Sequence, residues 1–543
     1  MKASQGLEIE KKYDVGDEAA VPAMESLPGV ASVGQPHTAV LEAVYFDTAG
    51  HALASRRITL RRRTGGTDAG WHLKLPPEAP EEAAEPQQRR ELHAPLGQAG
   101  VVPESLLAHV RVYLRGEEVA PVVRLETRRT THALYGENGV HLADLADDRV
   151  SATQLHAAAG GEGSRHWREW EVELVHGDPA LFGPVGELLA RAGASPAGHA
   201  SKLARALEGS GGGARRKQAR RAGRMEGIPI LLAGRKAPAA AVVTVYFAAQ
   251  LEQILAHDPG VRLEEAEAVH NMRSATRRLR SVLAAYRKLY VAVPVRRLRD
   301  ELKWLGGMLG GPRDAEVMQA RLRAQLEGLP PGDGVDAVRA RVEAQTGAAY
   351  DAGYRALQEA LESERYFRLL DSLEAFRGNP PVRPNAVKPG RRVAAKAVDK
   401  AAKRLRRADK AASHARRGTV HERALHQVRK DAKRLRHVAE SAALVHGKRA
   451  RKVAKAAHRQ QKILGEFQDA VLARDLLAGL DYGMDSGMVS GQVGGQAGSL
   501  ETPAAAAAYA ELRKRGDELL AGSQAKYRKA RKKSRDLLRR GVI

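Results

Sequence analysis

Glu8, Glu10 and Lys12 stand two residues apart in the segment Leu7-Glu8-Ile9-Glu10-Lys11-Lys12-Tyr13. In an extended chain successive side chains alternate between faces, so two carboxylates and an ammonium share one side. Carboxylate oxygens suit Mg²⁺ or Mn²⁺, and a neighbouring ammonium suits phosphate. The rival reading is the solvated outer face of an edge strand, where charge is ordinary. Later stretches bear on the choice. Arg61 and Arg63 share a face, His72 and Lys74 share another, and Arg124, Glu126 and Arg128 face together. Glu169, Glu171 and Glu173 then repeat the acidic alternation. Acids on the first and last strands with bases between them favour a closed barrel whose interior holds paired charges away from bulk water. Metal-holding carboxylates and phosphate-holding Arg and Lys in such a tunnel would make a site for a triphosphate chain.

The elements that must carry these residues are short strands. Residues 40–48 read as a strand ending at Asp47, with Thr48-Ala49-Gly50 as its turn. Residues 58–63 close at Gly65-Gly66, and 70–75 pair with them as a hairpin. Residues 76–86, rich in Pro, Glu and Ala, read as a mobile loop before strand character resumes around Arg89. Strands follow at 122–128, at 140–144 ahead of Asp147-Asp148, and at 169–174. A helix over 181–192 and the segment from Ser201 to Arg205 complete this half.

Charge divides the 543 residues sharply. Residues 1–208 hold 22 Lys and Arg against 29 Asp and Glu, whereas 209–543 hold 67 against 35. This asymmetry implies that the second half meets a polyanion: nucleic acid, an anionic membrane surface or polyphosphate. Without cysteine the chain has no disulfide or thiolate metal site, which fits a reducing compartment. No uninterrupted apolar run reaches the ~18–20 residues that span a bilayer. The expectation is a cytoplasmic protein that does not engage membranes, with association with polyphosphate granules as one setting.

After a Gly- and Arg-rich stretch over 209–234, read as a flexible basic linker, the period turns helical. A helix over 263–289 carries the apolar stripe Val269, Met272, Thr276, Leu279, Leu283 and Tyr286, and one residue on lie His270, Arg273, Arg277 and Arg280. The pattern recurs 156 residues later: Leu425, Val428, Ala432, Leu435, Ala439 and Ala442 beside His426, Arg429, Lys433 and Arg436. Each copy precedes a second signature, Leu309-Gly310-Gly311-Pro312-Arg313-Asp314 and Leu464-Gly465-Glu466-Phe467-Gln468-Asp469. A Pro-rich breaker at 379–389 separates two helical units, 235–378 and 390–540. Residues 479–503 read as a disordered insertion, and the basic run 526–540 as either a solvated helix or a further polyanion contact.

Six features of residues 1–208 resemble, in order, those of the CYTH family, the triphosphate tunnel metalloenzymes. These are Glu8-x-Glu10-x-Lys12, Tyr45-Phe46-Asp47-Thr48, Leu60-Arg61-Arg62-Arg63, the hairpin Lys74, the strand from Glu169 to Glu173, and Ser201-Lys202. The resemblance implies an eight-stranded antiparallel tunnel acting on triphosphate compounds with Mg²⁺ or Mn²⁺. By similarity Glu8, Glu10, Asp147, Glu169, Glu171 and Glu173 are candidate metal ligands, two of the last three forming the late pair. Lys12, Arg61, Arg63, Lys74, Arg89, Arg124, Arg128 and Lys202 would hold phosphates. Arg89-Arg90 and Arg128-Arg129 are each open by one residue, which means the opposite face. The expected reaction is metal-assisted attack of water on a terminal phosphoryl group, with Glu8, Glu10 and Lys12 as the catalytic residues. Lys12 would orient the water or assist as a base. A tunnel that binds polyphosphate without turnover, and an ATP-cyclising relative, are the rival activities.

Residues 235–543 resemble the CHAD family, all-α domains of two four-helix repeats associated with inorganic polyphosphate and commonly joined to a CYTH domain. The candidate polyphosphate residues are His270, Arg273, Arg277, Arg278, Arg280, Lys303 and Arg313 in the first repeat. In the second they are His426, Arg429, Lys430, Lys433, Arg434 and Arg436. Few aromatics accompany these cations, so the stacking platform of single-strand binders is missing and nucleic acid is the weaker partner reading. The overall expectation is an α+β chain with a β-barrel over 1–208, a linker over 209–234 and a helical domain over 235–543. The sequence assigns no oligomeric state.

Overall fold

The computed structural model describes residues 4–76, 87–155, 164–208, 237–485 and 502–542. It divides the chain into two compact units, Met1–Arg224 and Met225–Ile543. Residues 77–86, the stretch read as a linker (209–234) and residues 486–501 lie outside the described residues.

Eight strands build the first unit: β1 (Ser4–Val15), β2 (His37–Asp47), β3 (Thr59–Thr64), β4 (Gly70–Leu75), β5 (Gln87–Ala94), β6 (Ala120–Tyr135), β7 (His141–Gln154) and β8 (Arg165–Leu174). Their order is β1-β5-β4-β3-β2-β6-β7-β8, and β1 also pairs with β8, so the antiparallel sheet closes into a barrel. Two-residue strands at Ser32–Val33 and Ser195–Pro196 add to β6 and β1. Closure removes both sheet edges and gives every strand an inner and an outer face.

The apolar residues are spent largely on the outside of this barrel. Tyr13, Leu145, Trp170 and Val172 pack beneath α2 (Phe182–Arg191) through Phe182, Val185 and Leu189. Phe46, Leu60, Trp71 and Leu73 pack beneath Leu106, Val110 and Leu114 of α1 (Glu104–Leu114), a helix the sequence reading left unassigned. Inside one part of the barrel, Ala43, Tyr45, Val123, Leu125 and Val150 meet Leu203 and Ala206 of α3 (Lys202–Ala206). The Ser201 hydroxyl caps α3 by accepting from the Ala204 N–H at 3.1 Å.

Asp47, wholly buried, ends β2 for a physical reason. Its carboxylate accepts from the N–H groups of Thr48, Leu53 and Ala54 at 2.7, 2.9 and 2.9 Å. One side chain thereby satisfies three backbone donors of the following turn.

The second unit is helical: α4 (Ala239–Arg262), α5 (Ala268–Ala285), α6 (Ala292–Met308), α7 (Gly310–Glu327), α8 (Asp333–Leu361), α9 (Glu364–Gly378), α10 (Gly390–His414), α11 (Thr419–His446), α12 (Lys448–Asp485) and α13 (Pro503–Arg540). Short 3₁₀ turns lie at Arg287–Leu289 and Pro384–Val387. The two copies differ in continuity: α6 and α7 break at Leu309, where α12 runs on through Leu464. A Cβ at Gly353 of α8 would lie 2.8 Å from the Pro312 nitrogen, so α7 and α8 cross nearly backbone to backbone there. Helix α4 is long and apolar enough to cross a membrane, but Val242, Val243, Phe247, Leu251, Ile254 and Leu255 are buried in the unit. Residues Gly479–Asp485, read as the start of a disordered insertion, instead continue α12.

Candidate functional site

Strand alternation turns Glu8, Glu10 and Lys12 of β1, Thr59, Arg61 and Arg63 of β3, Lys74 of β4, Arg89 and Glu91 of β5, Arg129 of β6, and Glu171 and Glu173 of β8 into one cavity of about 420 Å³. Lys202, the first residue of α3, joins them. The β1–β8 register sets Lys12 opposite Glu171.

Glu171 is the centre of the charge network. Its carboxylate contacts Lys12, and it lies 2.6 Å from Lys202 Nζ and 2.5 Å from an Arg129 nitrogen. Lys202 also reaches Asp148 at 2.9 Å and Glu169 at 2.7 Å. Arg129 forms a bidentate pair with Asp148 at 2.7 and 2.6 Å. Lys12 holds Glu10 at 2.9 Å, and Lys74 holds Glu8.

Three of the expected tunnel residues are not in it. Arg124 and Arg128 lie on the outer face of β6, where Arg124 pairs with Glu42 at 3.4 Å. Asp147 faces outward from β7 and pairs with Arg168 at 2.8 Å. Period-two alternation makes this correction by one residue absolute: Arg129 and Asp148 face inward in their place. At the other ambiguous pair the inward residue is Arg89, which bonds the Ala200 carbonyl. The mixed-sign run Arg124-Glu126-Arg128 was the available signal, because alternating charges mark a solvated face.

The paired charges set the protonation states. Burial pushes the Glu10 carboxyl up, but Lys12 and Lys74 outweigh it and bring the group down to about 2. Burial likewise opposes charge on Lys12, yet Glu10 and Glu171 hold it above the ordinary lysine value. Lys202 is raised well above that value by Asp148, Glu169 and Glu171 against the same burial cost. Lys12 is thus held as a cation by its two carboxylate neighbours. Glu173 is different: much of the residue is open to solvent, but desolvation of its carboxyl and the Glu8 charge raise it to about 7.

The donor set fits a hard divalent cation. Asp148, Glu169 and Glu171 each place a carboxylate oxygen within 4.8 Å of the others. Glu8 Oε2 and Glu10 Oε1 are buried without a hydrogen-bond partner, an arrangement that costs free energy unless a cation takes the lone pairs.

In the helical unit the two signature helices bring their cations together. Lys433 of α11 is pushed down to about 7 by burial and then by Arg277, Arg429, Arg273 and Arg280. Arg277 falls to about 10 through burial, Arg273 and Arg429, partly countered by Asp314. The second signatures supply carboxylates: Arg273 meets Asp314 at 2.9 Å and Arg429 approaches Asp469 at 4.0 Å. Other expected residues are differently engaged. Arg278 and Arg436 share Glu440, Arg434 pairs with Asp431, and Arg313 pairs with Glu267 and Glu316. His426 bonds Gln468 at 2.7 Å, while His270, Lys303 and Lys430 are exposed. From the basic run, Lys526, Lys529 and Lys533 face Arg459 and Lys462 across a groove of about 370 Å³.

Comparisons with known proteins agree with this division. The CYTH domain model matches residues 6–206 and the CHAD domain model residues 245–478. Uncharacterised proteins of two Mycobacterium tuberculosis strains, CDC 1551 and H37Rv, are 39% identical over 490 residues, covering 88% of this chain and 89% of theirs. Among solved structures, the CHAD domain of the plant Ricinus communis is 23% identical, with 56% of this chain and 93% of that one covered and a TM-score of 0.43. A Hippeastrum protein, named as an adenylyl cyclase and described as having a dominant triphosphatase activity, is 18% identical, with 37% and 94% covered and a TM-score of 0.23. The chain is a CYTH–CHAD protein, a tunnel domain of the CYTH family followed by a helical domain of the CHAD family.

Proposed function

We propose that the tunnel domain hydrolyses the terminal phosphoanhydride of a triphosphate chain, with inorganic triphosphate as the first substrate, and that the helical domain binds inorganic polyphosphate. The observation that carries the reading is the convergence of buried carboxylates and seven cations in one tunnel. Its lining is mostly charged or small, which suits a chain of phosphates better than a nucleobase.

Glu8, Glu10 and the Asp148–Glu169–Glu171 group would hold Mg²⁺ or Mn²⁺, which when bound supplies Lewis-acid stabilisation and an activated water. Arg61, Arg63, Arg89 and Lys74 bind the non-bridging oxygens and set the chain along the tunnel. Lys12 and Arg129, held as cations by Glu10, Glu171 and Asp148, stabilise charge as the bridging P–O bond breaks. In the helical domain, Arg273, Arg277, Arg280, Arg429 and Lys433 repel one another. A flexible polyanion relieves that repulsion without any base readout.

The test is phosphate release by the full chain from triphosphate, with pyrophosphate, ATP and longer chains compared, in Mg²⁺ and in Mn²⁺. Release from triphosphate that is lost in Glu10→Gln supports the reading. Cyclic AMP from ATP would point to a cyclase, and polyphosphate binding with no turnover of any substrate would point to a binding protein.

A further inference from the structure

Three side chains that the triphosphate chemistry does not use converge at the β3–β4 hairpin. Asp68 lies in the turn between those strands, His72 on β4, and His93 directly opposite it on β5. The two imidazoles stand edge to face with centroids 4.9 Å apart. Asp68 Oδ1 lies 3.8 Å from His72 Nε2 and 3.7 Å from His93 Nε2. The three donor atoms all fall within 4.8 Å of one another. Tetrahedral zinc with bonds of about 2.0–2.1 Å separates adjacent ligand atoms by about 3.4 Å. The two spans from Asp68 exceed that by a few tenths of an ångström, and the span between the imidazole donors, within 4.8 Å, closes by at most about 1.4 Å.

The partners of the two rings bear on which nitrogens could take a metal. Its Nδ1 faces Glu91 Oε1 at 2.9 Å and its Nε2 faces the Asp68 carbonyl at 3.1 Å, both of them acceptors. A neutral imidazole carries one N–H, so one nitrogen presents a lone pair to an acceptor. His93 Nε2 is itself buried with no hydrogen-bond partner. A Cβ at position 70 would run into that nitrogen, so Gly70 is what lets the ring lie over the hairpin.

We propose that Asp68, His72 and His93 form a divalent transition-metal site of the zinc type, distinct from the carboxylate set that suits Mg²⁺. Two imidazoles and one carboxylate select a borderline-soft ion over a hard one. The Glu91 carboxylate on His72 Nδ1 is the outer partner that fixes the tautomer and turns the Nε2 lone pair toward the Asp68 turn, whose carbonyl a metal there would displace or share. Arg63 bonds the carbonyl of Asp68 at 3.1 and 3.0 Å and also its carboxylate. Metal here ties the turn to β5 and thereby holds Arg63 at the cavity wall. The site does not depend on hydrolysis.

The test is equilibrium dialysis of the full chain against Zn²⁺ with Mg²⁺ in large excess, followed by metal analysis. The wild type retains one Zn²⁺ per chain. His93→Gln and Asp68→Asn lose it, their affinity falling by more than the roughly 10–100-fold that a missing outer partner costs, whereas Glu10→Gln keeps it. Co²⁺ in the wild type gives the strong visible absorption of a tetrahedral, imidazole-ligated ion. Equal Zn²⁺ retention in His93→Gln and Asp68→Asn, or loss in Glu10→Gln alone, overturns the proposal. If His93→Gln fails to fold by circular dichroism, Asp68→Asn, whose side chain is 56% exposed, and the wild-type Co²⁺ spectrum decide; absence of the tetrahedral band rejects the site.

Discussion

Lys202 in the tunnel and Lys433 in the helical domain are both withdrawn from water, yet they shift in opposite directions. Lys202 contacts Asp148, Glu169 and Glu171, which raise it well above the ordinary lysine value despite burial. Lys433 is lowered to about 7, by burial first and then by four arginines. The tunnel is thus nearly neutralised within itself, and an incoming phosphate chain must exchange partners with carboxylates already in place. The helical cluster carries unrelieved repulsion until a polyanion arrives. A closed barrel can hold both signs on one inner face, whereas two facing helix stripes here concentrate one.

The largest effect that would break this contrast comes from the tunnel. Lys202→Met leaves three buried carboxylates without their shared counter-charge. It should destabilise that domain by about 3–5 kcal/mol and cut triphosphate turnover by at least about 100-fold. Tryptophan fluorescence during denaturant unfolding reports it, since Trp71, Trp167 and Trp170 belong to the tunnel domain and only Trp304 to the helical one. A variant as stable as the wild type would mean that the pairing is not what holds the site together.

The same kind of substitution should act with the opposite sign among the helices. Lys433→Met removes a crowded charge, so unfolding of the helical domain should cost up to about 1 kcal/mol more. Polyphosphate affinity falls nonetheless, and the slope of log affinity against log salt shrinks by about 1. Loss of stability in this variant would refute the repulsion.

A smaller signal is set by pH. The folded Lys433 releases its proton near 7, while the unfolded chain keeps its own up to 10.5. Between those values the unfolded state binds more protons, so this group makes the folded state gain stability as pH rises. Below about 7 both states are charged and the penalty is constant. Polyphosphate should draw the proton back, giving uptake approaching one proton on binding at about pH 8. Titration calorimetry in buffers of different ionisation enthalpy measures it. Near-zero uptake would place the ligand away from Lys433.

The smallest expected change sharpens the tunnel boundary. Arg124→Ala and Arg128→Ala should stay within about 0.5 kcal/mol of wild-type stability and leave triphosphate turnover close to unchanged. Arg129→Ala, which removes two hydrogen bonds donated to Asp148 and one donated to Glu171, should impair both. If Arg128 rather than Arg129 proves sensitive, the β6 register is wrong by one residue.

Much of this was legible in the residues. Glu8, Glu10 and Lys12 announced a charged inner face, and Arg61, Arg63 and Lys74 matched it across the barrel. The 156-residue recurrence of the cation stripe exposed the helical duplication. Arg129 stayed open against Arg128, and Asp148 was passed over for Asp147, because adjacent residues differ only in parity, and parity follows from strand pairing rather than from local pattern. Helix α1 was missed because its buried residues, Leu106, Ala108, Val110, Val112 and Leu114, alternate like a strand.

The sequence by itself determined the charge division, the element types that carry the motifs, and the two families. Those are matters of composition and period, which each segment holds locally. Only the tertiary structure decided which of two neighbouring charges enters the tunnel. It alone made Lys12 a cation fixed between Glu10 and Glu171, and it alone brought Asp68 to His72 and His93. The reason is that protonation and ligation depend on distances of a few ångströms between strands far apart in the chain, and closure of the barrel sets those distances.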